Sequence, residues 1–192
     1  MEVQATELIS ESARLARQFV APLGRRWTHV QSVAQRAEKL RLAVADSDLP
    51  VLVSAAWLHD IGYASSLATT GFHPLDGARY LRTIEFPSRI VNLVAHHSGA
   101  RFEARERGLE DELSEFDCED SPVMDALVTA DLTTGPDGQR LTYRGRIGEI
   151  LVRYPEDHPV HQAWLKAADP LEACVRRVEQ RLTGRLSSDE WS

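Results

Sequence analysis

Histidines and aspartates recur along this chain in one order: His29, the doublet His59-Asp60, His73, the pair His96-His97, then Asp131. Each falls in or beside a segment of helical periodicity, so the side chains can converge on one point inside a helical bundle and hold metal there. His29, His59, Asp60 and Asp131 offer nitrogen and oxygen in equal parts. That borderline donor set suits Fe, Mn, Co, Ni or Zn, whereas Mg and Ca favour more oxygen. His73, His96 and His97 then lack partners unless a second ion sits beside the first, which a bridging Asp60 would hold roughly 3.5 to 4 Å away. Taken singly, a buried histidine is more often a satisfied core residue. Several polar rings among apolar helices are costly unless each has a partner, and metal supplies one.

The elements that must position these side chains are helices. Leu8, Ile9, Ala13, Leu15, Ala16, Phe19 and Val20 follow helical spacing up to Pro22 and Gly24. A second helix is expected from Thr28, as its N-cap, to about Val44, with His29 in its first turn. The third opens at Pro50 and is apolar nearly all round up to the His59-Asp60 doublet, the mark of a helix at the centre of the fold. Shorter helices are expected over 73–83, and from Pro87 through the paired histidines to a stop at Gly99. Residues 103–120 are rich in acid and read as a solvated surface insertion. Ser121 and Pro122 open another buried helix, which ends at Asp131 before the TTGPDG turn. From Tyr143 to Leu182 the pattern is helical, with breaks expected at Pro155, Pro159 and Pro170. No strand run and no internal repeat stands out. The expected fold class is therefore all-α: a single-domain helical bundle over 1–192, with core motifs at 27–131 and C-terminal helices at 132–192 completing it.

Composition narrows the function. With 192 residues, 43% hydrophobic and 27% charged, one domain can bury a substantial core. No apolar run approaches the roughly 20 residues of a membrane span, and MEVQATELISES carries acid where a secretory signal carries base. The expected compartment is the cytoplasm. Cys118 and Cys174 are far apart and without C-x-x-C spacing, which gives no disulfide framework and no thiolate site. A net charge of −7 disfavours a nucleic acid duplex or an anionic membrane as partner, leaving a small substrate. Arg101, just after the paired histidines, is placed to neutralise a substrate phosphate, and Tyr63 to donate a hydrogen bond at the lip of the site or to pack the loop. For Arg101, Arg25 and Arg26 the commoner reading is an exposed surface arginine. His158 and His161 read as an ordinary helix start. Apolar positions on the first and last helices suit a homodimer face or packing within the monomer equally.

The blocks WTH at 27–29, LHDIG at 58–62, FHPLDGARYL at 72–81, VAHHSG at 94–99 and TAD at 129–131 together resemble the HD-domain superfamily of metal-dependent phosphohydrolases. By that resemblance His29, His59, Asp60 and Asp131 are ligands of a first metal. His73, His96 and His97 are ligands of a second, with Asp60 bridging. Two departures point away from the best-known signalling substrates of such proteins. Tyr63 stands where the cyclic-dinucleotide phosphodiesterase subgroup would have lysine, and SGARFEARERG follows the paired histidines in place of a GYP motif. The residues after the doublet, Ile61 to Ala64, also lack the acids of the HDxxED and HDxxE signatures of alarmone hydrolases and deoxynucleotidase-like members.

The expected reaction is hydrolysis of a small phosphate ester, nucleotides among the candidates, by hydroxide that two divalent transition-metal ions activate. Asp60 and His97 are the expected catalytic residues, with His97 or a metal-bound water as proton donor to the leaving group. A second reading is a di-iron oxygenase of the same superfamily. A third, minor one is a regulatory module without catalysis, which would be expected to have lost metal ligands; none is missing.

Overall fold

Residues 49–58, LPVLVSAAWL, are apolar on every face, and such a helix is stable only where other elements cover it all round. The computed structural model, which describes residues 2–189, supplies that cover. In chain order the helices are α1 (Glu2–Val20), α2 (Arg25–Lys39), α3 (Leu49–Leu58), α4 (His73–Thr83), α5 (Ser88–His96), α6 (Ala100–Arg107), α7 (Glu110–Leu113), α8 (Pro122–Leu132), α9 (Tyr143–Arg153) and α10 (Pro159–Asp189). Among the described residues there is no strand, and the fold is all-α. Residues 1 and 190–192 of the expected single domain lie outside the described residues.

α3 is the axis. It packs against α1, α2, α5 and α8, and its Leu52, Val53, Ala55, Ala56 and Leu58 are buried. α8 is nearly as enclosed, and it starts as its sequence demands: Pro122 fills the first turn and the Ser121 hydroxyl accepts from the Met124 N–H at 3.1 Å. α10 closes the bundle against α6, α8 and α9. Apolar positions of the first and last long helices, Leu15, Ala16 and Val20 on α1 and Leu171, Val175 and Val178 on α10, are buried within the chain. Among the described residues, no helix is long and apolar enough to cross a membrane.

Four expectations are corrected. α2 starts at Arg25, because Gly24, at φ 59°, breaks the preceding run and lets the chain enter a helix at once; Thr28 lies inside it. The same helix ends at Lys39, short of Val44, where residues 41–43 tighten into a 3₁₀ turn. Pro170 does not break α10, since Ala163 and Ala167 before it and Leu171 and Val175 after it are buried on one continuous face. Finally, residues 103–120 are no mere insertion. Ala104, Leu113 and Phe116 are buried, and the acids Glu112, Glu115 and Glu119 pair with Arg79, Arg82 and Arg89.

One buried carboxylate ties α8 to α10. Asp125, 2% exposed, accepts from Arg177 Nε at 2.8 Å and pairs with Arg181 at 2.8 Å. Burial pushes its pKa up, but the two guanidinium hydrogen bonds outweigh burial and hold it below the ordinary value. A carboxylate depressed in the folded state stabilises fully above its unfolded pKa, about 4, and loses that contribution as pH falls further through the folded value. Asp125→Asn is therefore expected to cost about 1–2 kcal/mol at pH 7, limited by the partly solvated arginines. The gap between variant and wild type in thermal unfolding should stay constant from pH 7 to 5 and close below pH 4.

Candidate metal centre

The cluster is assembled from helix ends. His59 and Asp60 follow the last residue of α3, His73 is the first of α4, His97 follows α5, and Asp131 lies in the last turn of α8. His29, from the first half of α2, completes it. His29, His59 and Asp131 offer ligand atoms within 4.8 Å of one another, and so do Asp60, His73 and His97. Asp60 connects the two groups: its Oδ2 lies 3.5 Å from His59 Nε2 and its Oδ1 3.3 Å from His73 Nε2.

Backbone carbonyls decide which nitrogen of each ring faces the centre. His59 Nδ1 lies 2.8 Å from the Ala56 carbonyl, His97 Nδ1 2.7 Å from that of Val94, and His29 Nδ1 3.1 Å from that of Gly135. A carbonyl only accepts, so each Nδ1 carries the proton and donates it. In the neutral ring, Nε2 is then left with a bare lone pair. Two of those lone pairs face carboxylate oxygens, His29 Nε2 at 2.9 Å from Asp131 Oδ1 and His59 Nε2 at 3.5 Å from Asp60 Oδ2, and that of His97 lies 3.2 Å from His73 Nε2. His59 Nε2 is fully buried with no hydrogen-bond partner. Acceptors packed against acceptors in a dry site call for a cation between them, and nitrogen and carboxylate oxygen at these separations fit a divalent transition metal.

Charge in the cluster agrees. Burial raises the Asp60 pKa, but His59 and Arg26 outweigh it and hold the carboxyl well below its usual range. Asp131 is likewise held down, against burial, by its hydrogen bond to His29, and His29 beside it is pushed up, so this pair favours a cation between Nε2 and Oδ1, a proton or a metal ion. Burial keeps His73 and His97 below the ordinary imidazole value, favouring the neutral form that ligates metal.

Two close approaches set the distances. A Cβ on Gly62 would lie 2.1 Å from the His73 carbonyl oxygen and 2.6 Å from the Gly77 nitrogen, so the turn after the doublet sits backbone to backbone on α4. Asp76 fixes the loop before His73 by accepting from the Thr70 and Gly71 N–H groups at 2.9 and 3.1 Å. On the other side the Gly135 carbonyl is presented by the TTGPDG turn, which docks on α2 where a Gly138 Cβ would meet Ser32 Oγ at 2.3 Å.

His96 does not join its neighbour. α5 ends at His96, the chain turns, and His96 Nε2 donates to the Phe116 carbonyl at 2.8 Å, away from both groups. The backbone leaves the helix at His97, ψ 153°, and that turn sends the two rings in different directions. His97, with Nδ1–H on Val94 and Nε2 turned to His73, has no N–H to offer a leaving group, which counts against the expected proton donation. Arg101 is exposed over the Phe102 ring and is not among the residues lining the cavity beside the cluster. Tyr63 does line that cavity. It stacks on His73 with ring centroids 3.9 Å apart, and the Arg26 guanidinium lies 3.6 Å from its other face.

Several residues at the site have roles that the sequence did not reveal. Arg26 donates to Asp60 Oδ2 at 2.7 Å. The Ser98 hydroxyl donates to Asp131 Oδ2 from a left-handed backbone, φ 47°, a conformation costing about 1–2 kcal/mol for a non-glycine residue that the surrounding packing must hold. His158, expected to be an ordinary helix start, joins Arg146 and Arg153 on the cavity wall. Nothing local marks Arg26 and Ser98 as partners of the cluster, because Asp60 and Asp131 lie 34 and 33 positions away. The cavity holds about 300 Å³, at the small end for a small-molecule site.

A family model for the HD domain matches residues 26–133. No curated protein and no solved structure matches the chain.

Proposed function

Because the chain belongs to the HD-domain family, we propose that it is a metal-dependent phosphohydrolase that cleaves a small phosphate ester at a dinuclear centre. The observation that carries this reading is the set of histidines whose Nδ1–H groups are committed to backbone carbonyls and whose Nε2 lone pairs meet carboxylates. His29, His59 and Asp131 would hold one ion, and Asp60, His73 and His97 another. When bound, the ions supply Lewis acidity that brings water to a pKa near 7 and neutralises charge on the phosphoryl group. Around them the chain's own side chains bind and orient. Arg26 lies at the cavity edge of Asp60, where its guanidinium can share a phosphoryl oxygen. Tyr63, clamped between Arg26 and His73, keeps both in place. Phe102 and Trp164 form apolar wall that limits water.

Elemental analysis of protein purified without added metal, followed by assay on a panel of phosphate esters with Mn, Ni or Fe, tests the reading. Close to two ions per chain and ester turnover are expected. Two irons with a mixed-valence paramagnetic signal and no ester turnover would instead establish oxygenase chemistry.

A further inference from the structure

One side of the cavity is built by residues beyond the HD match: Arg146 and Arg153 on α9, which share a neighbouring cavity with Arg26 and His29, together with His158 before α10 and Trp164 on α10. Arg146 stands out. It is 7% exposed, lines both this cavity and a neighbouring one of about 250 Å³, and its Nε is buried without a partner. Its one ion pair among the described residues, Nη1 to Glu149 at 2.5 Å, is to a carboxylate that also serves Arg153. One acid between two guanidinium groups leaves this side net positive. Arg107, also on the wall, is neutralised by Glu103 at 2.7 Å and adds nothing to that excess. His158 accepts from the Val160 N–H through Nδ1 at 3.2 Å, which places its proton on Nε2 as a further donor. A buried guanidinium with an unmet N–H is costly unless an anion completes it.

We propose that Arg146, with Arg153 and His158, is the specificity side of the site and takes a second anionic group of the substrate. This rests on the phosphohydrolase reading, with the phosphoryl group at the His/Asp cluster. The substrate class is then a compact ester carrying a second acid, carboxylate or phosphate, on a short apolar or aromatic body that lies along Trp164 and Phe102. Arginine suits either acid, since its planar fork meets both with two parallel hydrogen bonds.

Calorimetric titration of manganese-loaded protein with phenylphosphonate, 4-phosphonobenzoate and 1,4-phenylenebisphosphonate tests this without turnover. A para acid should tighten binding by about tenfold or more, and which acid gains more identifies the group preferred. In Arg146→Met and in the less buried Arg153→Met that gain should fall towards unity, and Arg146→Lys should keep part of it. Equal affinity for all three compounds, no binding of any, or a gain that survives in both methionine variants would overturn the proposal. An intact, arginine-dependent gain with no hydrolysis of the matching phosphate esters supports the anion side and counts against the hydrolase reading alone.

Discussion

His59→Ala is expected to strip the protein of metal and lower ester turnover by roughly 10³-fold or more, the several kcal/mol that a metal-activated nucleophile contributes. His59 is fully buried, its Nδ1–H is held by Ala56, and its Nε2 faces Asp60 at 3.5 Å and Asp131 at 3.9 Å with no hydrogen-bond partner. Alanine removes the donor at the junction of both ligand groups and leaves two buried carboxylates without the nitrogen that stood between them. Metal content by plasma mass spectrometry, turnover, and circular dichroism on the same preparation check the result. His96→Ala is the control, since that ring points to the Phe116 carbonyl and the variant should retain its ions. Metal kept in His59→Ala, or lost only in His96→Ala, would refute the assignment of ligands.

The second large effect is expected at Gly62. A methyl there would sit 2.1 Å from the His73 carbonyl oxygen and 2.6 Å from the Gly77 nitrogen, both backbone atoms that cannot rotate away. Gly62→Ala must therefore push the start of α4 outward and carry His73 with it. Overpacking of this kind costs about 3 kcal/mol or more, at the upper end of its usual range because the obstacle is main chain. The displaced His73 should also empty the group it shares with Asp60 and His97, so metal content should drop by about one ion per chain. Gly77→Ala should be milder. Its nearest contact is the Ile61 Cγ2 at 3.0 Å, a side-chain methyl that can shift. Denaturant unfolding of both variants, with metal counted on each, gives the ranking. Equal stabilities would show that the backbone contact is unimportant.

Much of this arrangement was legible in sequence because it is local. Proline and serine at helix starts, the all-apolar stretch before His59, and the order of histidines and aspartates are read without knowing what lies opposite. The choice between His96 and His97 was not legible: the two differ by one residue, and the turn after α5 decides which faces inward. Ser98 and Arg146 were invisible for a different reason, and Arg26 stood out only as one of several arginines near the ligands. Arginine and serine are ordinary on surfaces, and only the approach of Asp60, Asp131 and the cavity wall gives them roles. The acids of 103–120 misled for the converse reason, since their arginine partners on α4 and α5 stand 30 or more positions away, as with Arg89 and Glu119.

The carbonyls that hold the ligand rings differ in origin. Ala56 and Val94 lie three residues before His59 and His97, in the final turn of the same helix, where carbonyls have lost their usual partners. Gly135 reaches His29 from 106 positions away. Two of the rings are thus aimed by their own helix as soon as it forms, and their orientation survives any loosening that leaves α3 and α5 intact. His29 is aimed only while the hairpin-like turn stays docked on α2. On heating, capture of metal should therefore fail first through the drift of one imidazole, with the helices that carry the others still in place.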